Sequence, residues 1–131
     1  MPTMSAARLV RRAEDELAQV TSGQDPQQAF VHAHMAALRA AAAVLEIQVV
    51  PGGRRRRVRS VWEQLAESGL QWQEWAGYFA QGAHTRAAIE SGRTVRLTRA
   101  EAEQLVAAAT DFLGLVQDAV TSSARPTPLA S

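Results

Sequence analysis

Three histidines and fourteen arginines are the residues of this 131-residue chain best suited to moving protons or holding phosphates. The histidines are His32, His34 and His84. Side chains two apart on a helix point about 200° apart, so His32 and His34 cannot chelate one metal ion from a shared helix. Cysteine is absent, which excludes thiolate nucleophiles, disulfides and thiolate-held metals. With three histidines and no cysteine, no metal site is expected. No cofactor is expected either. "PGGRRRR" lacks the spacing and the lysine of a phosphate-binding loop. "AESG" is no serine-hydrolase elbow, because no strand precedes it.

The densest charge is in "PGGRRRRVRS", residues 51–60, where Arg54, Arg55, Arg56, Arg57 and Arg59 stand with no acid among them. The whole chain carries +1 and this stretch +5, so the remainder carries −4. Clustered guanidiniums attract phosphates and release counterions, which supplies affinity without sequence specificity. These five arginines are the candidate nucleic-acid contacts. The nearest aromatic is Trp62, so nothing beside them stacks bases. Cations at a helix C-terminus are also favoured by the helix dipole, so a plain solvated loop fits the same residues, as does a protein-partner contact. Gly52 and Gly53 leave the loop free to swing. The acidic remainder offers no broad basic face, so affinity for a polyanion would rest on this loop. All cations are arginine, asparagine is absent and alanine occurs 26 times, a bias that fits GC-rich coding.

Three further residues are pocket candidates. His34 lies at helical spacing among Phe30, Leu38 and Ala41, where a core or interface histidine is the bland reading and acid–base or ligand chemistry the sharp one. Arg86 interrupts the face formed by Trp75, Phe79, Gly82 and Ile89. A charge there must reach solvent, pair with an acid or line a pocket. His84 completes the set. Trp72, Trp75, Tyr78 and Phe79 fall within eight residues, a spacing that suits a core and also an interface or a base-stacking surface.

Helices must position these groups. "SAARLVRRAEDELAQV" has Leu9, Ala13, Leu17 and Val20 at helical spacing, which predicts a helix over about 5–21 with Arg12 and Glu16 paired on its outer face. Gly23 suits a left-handed cap after it. Asp25-Pro26 opens a second helix that runs to Pro51. Its run Ala40–Ala43 lets a neighbouring helix approach closely, and a second copy of the chain is one such neighbour. Ser60 and Glu63 form a capping box before a short helix that Gly69 closes. A fourth helix spans about 71–91 and stops at Gly92. Thr98 and Glu101 form a second capping box for a helix over about 99–121, striped by Leu105, Ala109, Phe112, Val116 and Val120. Residues 122–131 lack an apolar pattern and are expected to be disordered. The result is an all-α domain over 1–121, an up-and-down bundle of four long helices and one short one.

At 47% hydrophobic the chain can build a core. No uninterrupted apolar run approaches the roughly 20 residues that span a bilayer, and the first twenty residues mix acids and bases. A cytoplasmic protein without membrane contact is the expectation.

The wording of the segments carries a resemblance. "AFVHAHMAALRAAAAVL", the basic loop, "SVWEQLAE", "EWAGYFAQGAHTRAAIESG" and "TRAEAEQLVAAATDFLGLVQDAV" resemble small actinobacterial proteins of the HEPN superfamily, in a branch first defined from a streptomycete protein. The resemblance implies a dimerising helical bundle and, for some members, a nucleotidyltransferase partner. Catalytic HEPN domains are metal-independent ribonucleases marked by an arginine, four to six residues, then a histidine. The windows that would hold that arginine contain Asp25, Pro26 and Gln27 before His32, Gln27, Gln28 and Ala29 before His34, and Gly77, Tyr78 and Phe79 before His84. The motif is missing and no catalytic residue is carried over. The expectation is a non-catalytic binding module for RNA, another polyanion or a protein partner. A ribonuclease with a divergent site, or a structural partner of a nucleotidyltransferase, is the alternative.

Overall fold

The computed structural model describes residues 4–48 and 59–124. Five helices run in the order α1 (Met4–Ala18), α2 (Pro26–Ile47), α3 (Val61–Glu67), α4 (Leu70–Glu90) and α5 (Arg99–Ala124), and no strand occurs among the described residues. The chain is all-α.

The helix starts follow the local chemistry. Asp25 Oδ1 accepts from the Gln27 amide and Pro26 takes the first helical position, where its missing N–H costs nothing. At α3, the Ser60 hydroxyl accepts from the Glu63 amide while the Glu63 carboxylate accepts from the Ser60 amide. Thr98 and Glu101 make the same reciprocal pair before α5. Gly92 ends α4 with φ 83°, and the Arg93 amide reaches back to the Ala88 carbonyl. That is a Schellman closure, and its left-handed residue favours glycine.

Three ends differ from the sequence expectation. α1 stops at Ala18, so Gly23, though at φ 80°, sits in a separate turn closed by Gln24 N–H on the Thr21 carbonyl. α2 stops at Ile47, with Gln48 already extended. α5 runs to Ala124, three residues into the stretch expected to be disordered. Residues 125–131 lie outside the described residues.

α2 is the hub. It packs closely against α1 and α5 on one side and against α3 and α4 on the other. Directions alternate as an up-and-down bundle requires. Glu16 meets His32 while Arg12 and Arg39 share a pocket, so α1 and α2 are antiparallel. The start of α5 lies beside the start of α2, through Arg99 on the Gln24 carbonyl and Gln27 on the Val95 carbonyl. Ala33, Ala36, Ala37, Ala40, Ala41 and Ala43 of α2 are fully buried within the single chain. The alanine run is therefore used for close packing inside the protomer. On the opposite side the filling is aromatic: Trp62, Trp72, Phe79 and Phe112 are buried. These rings hold α4 away from α5, with Trp72, Trp75 and Phe79 each meeting Phe112 at centroid distances of 5.2 to 5.9 Å.

α2 is also long and apolar enough to cross a membrane by length and composition, which counting uninterrupted apolar runs had missed. Half of that window is buried inside the fold, as the central helix of a packed domain must be.

Candidate functional site

The three pocket candidates do not form one open site. His34 is fully buried, enclosed by Phe30, Trp62 and Phe79 at ring distances of 5.6 to 6.3 Å. Its Nε2–H donates to the Phe79 carbonyl at 2.8 Å, and Nδ1 has no partner. Burial pushes its pKa below the ordinary histidine value; the bond to the Phe79 carbonyl opposes this, the nearby Arg86 charge adds to it and Glu90 opposes it. The ring is a neutral imidazole locked as one tautomer, which suits a structural cross-link between α2 and α4.

Arg86 lies on the same side of α4, half-buried, with Nη1 on the Met35 sulfur and 4.0 Å from Glu90. Its Nε is shielded without a partner. Of the three fates open to this arginine, it takes a mixture of snorkelling and loose pairing. His84 is exposed on another face of α4.

Arg54, Arg55, Arg56 and Arg57 lie outside the described residues. Arg59 is exposed and pairs with Glu67, while its carbonyl accepts from Gln64 Nε2.

A polar seam between α1 and α2 brings together residues that sequence reasoning did not connect. Glu16 does not pair with Arg12. Its Oε1 lies 3.0 Å from His32 Nδ1 across the helix interface. Arg12, Asp15, Glu16, Gln19, His32 and Arg39 line one pocket of about 400 Å³. The available signal was the i, i+3, i+4, i+7 spacing of Arg12, Asp15, Glu16 and Gln19, matched by His32 and Arg39 two turns apart on α2. Among the described residues, no cluster of three or more histidine, aspartate and glutamate side chains could hold a metal ion.

The aromatic run of α4 is mostly core, but not wholly. Trp72 and Phe79 are buried and Trp75 is half-buried, while Tyr78 is exposed beside a cleft shared with Glu74, Gln104 and Ala108.

Searches of the curated proteins and of the solved structures found no match. A family model does match, over residues 18–117, from the end of α1 through most of α5. That span takes in the central helix, the aromatic layer and the arginine-rich segment of the sequence, and the chain belongs to the HEPN_SAV_6107-like HEPN family.

Proposed function

We propose that the protein is a non-catalytic HEPN binding module that holds single-stranded RNA, or a comparable polyanion, at the end of the bundle where α2 stops. The observation that carries this reading is the direction of the α1–α2 hairpin. Because the two helices are antiparallel, Arg8, Arg11 and Arg12 of α1 lie toward the end of α2 that leads into the arginine-rich segment. Arg8, Arg11 and Arg12 are exposed. The acids of α1, Glu14, Asp15 and Glu16, follow Arg12 toward the other end of the helix. Glu46 is the exposed acid near the end of α2, and Glu67 is occupied by Arg59. The exposed arginines of α1 support a basic surface beyond Arg54–Arg57 and Arg59, where the sequence alone offered no broad basic face.

The missing arginine–histidine motif and the sealed His34 support a binding role over a cleaving one. The test is fluorescence titration of labelled single-stranded RNA with the full chain. Neutralising three or four phosphates gives a log–log salt slope of about −2 to −3. Replacing Arg54–Arg57 with glutamine should flatten that slope, and Arg8→Gln with Arg11→Gln should flatten it further. Absence of binding at about 50 mM salt rejects the proposal. Cleavage of the RNA in metal-free buffer replaces it with the ribonuclease reading.

A further inference from the structure

The side chains of the α1–α2 seam have not all found partners. His32 and Glu16 have found each other. Among the described residues, neither Arg12 nor Arg39 has a carboxylate within ion-pair distance, although Asp15 and Glu16 line the same pocket. Arg39 is half-buried and its Nε is shielded from solvent without an acceptor. A shielded guanidinium nitrogen without an acceptor calls for one, and two arginines lining one pocket suit an oxyanion.

The two carboxylates decide which oxyanion. A fully ionised anion would face Asp15, Glu16 and the imidazole. In the tautomer that donates Nδ1–H to Glu16, His32 Nε2 presents a lone pair, and it has no protein partner among the described residues. A ligand that carries its own proton satisfies that lone pair. Sulfate carries none near neutral pH. Inorganic phosphate does, and a phosphomonoester does below its second pKa of about 6.

We propose that this pocket binds a proton-bearing phosphate group. Arg12 and Arg39 take its charged oxygens, His32 Nε2 accepts from the P–OH, and Asp15 turns away fully ionised anions. Glu16 is a positioning residue that sets the His32 tautomer. The group is either free phosphate or the phosphate of a small monoester. The site shares Arg12 with the proposed polyanion surface and uses none of Arg54, Arg55, Arg56, Arg57 and Arg59, so its failure leaves the polyanion reading standing, and the reverse also holds.

The experiment is amide NMR titration of the full chain with sodium phosphate and sodium sulfate at about pH 7, and with these and glycerol phosphate at about pH 6, at matched ionic strength. Saturable shifts confined to α1 and α2 are expected with phosphate, and at least about tenfold weaker binding with sulfate, one lost charge-assisted bond's worth. Glycerol phosphate binding as well as phosphate assigns the site to esters; phosphate alone assigns it to the free ion. Arg39→Gln should weaken phosphate about tenfold, and the exposed Arg12→Gln gives a second reading should the Arg39 variant lose its fold. Asp15→Asn should narrow the gap between phosphate and sulfate. Equal affinity for sulfate, unchanged affinity in both arginine variants, or shifts spread over all exposed arginines would overturn the proposal, as would no saturation at tens of millimolar.

Discussion

Gly82 of α4 lies against the ring of His34 of α2: a β-carbon on Gly82 would sit 3.0 Å from His34 Cδ2 and 3.4 Å from Phe30 Cζ. The same ring donates to the Phe79 carbonyl, about one turn earlier on α4. An absent side chain on one helix and a polar ring on the other fit each other at the crossing, and this contact sets how closely α4 approaches the hub.

Gly82→Ala has two opposed effects. Alanine raises helix propensity by about 1 kcal/mol, and overpacking costs about 1–3 kcal/mol. His34 is pinned by its hydrogen bond and three rings, so the clash wins, and a net loss of about 1 kcal/mol is expected in urea unfolding. In a His34→Ala background the same change should stabilise. A stabilised single variant would show that the crossing relaxes freely.

Stability should fall on mild acidification because of His34. Its folded pKa is lowered, chiefly by burial. The unfolded chain therefore takes up a proton at about pH 6.5 and the folded chain does not, so stability is complete above about pH 6.5 and is lost as pH drops toward the lowered folded value. Urea midpoints between about pH 7.5 and 5 should decline for the wild type and flatten for His34→Leu. Identical slopes would mean that His34 charges freely in the fold.

Phe112→Ala should cost about 3–5 kcal/mol, because Phe112 is fully buried and meets three rings of α4. Trp75 is only half-buried, and Trp75→Ala should cost less, about 1–3 kcal/mol. Denaturant unfolding orders the two; equal losses would place Trp75 wholly in the core.

Ala41→Glu puts an unpaired charge into a fully buried site and should unfold the protomer. Ala42, half-buried, should tolerate glutamate better. Circular dichroism with sedimentation separates the outcomes. A folded Ala41→Glu monomer from a wild-type dimer would return the alanine run to an interface.

The helices and most of their starts were legible in the sequence, because capping and periodicity act within one turn of the chain. Asp25-Pro26, Ser60 with Glu63, and Thr98 with Glu101 each satisfy free amides through neighbours three residues away or fewer. Gly23 was misread as a cap because its positive φ is a local property, whereas the end of α1 depends on where its stripe stops finding α2. The aromatic stripe of α4 and the Phe112 stripe of α5 were visible as faces, but not that they would meet.

Pairing across helices was beyond local reading. Glu16 could satisfy itself with Arg12 one turn away or with His32 on the next helix, and only the rotation of α1 against α2 decided for His32. His34 stood in the sequence as a possible acid–base group. The approach of α4, permitted by Gly82, buried it against a carbonyl and made it structural. The alanines of α2 announced close packing without naming the neighbour, since small side chains fit any helix that arrives. Composition and spacing therefore determined the elements, the family resemblance and the inventory of charged groups. The tertiary structure decided which charges are paired and which are left open, because that depends on distances between residues that the chain does not hold together.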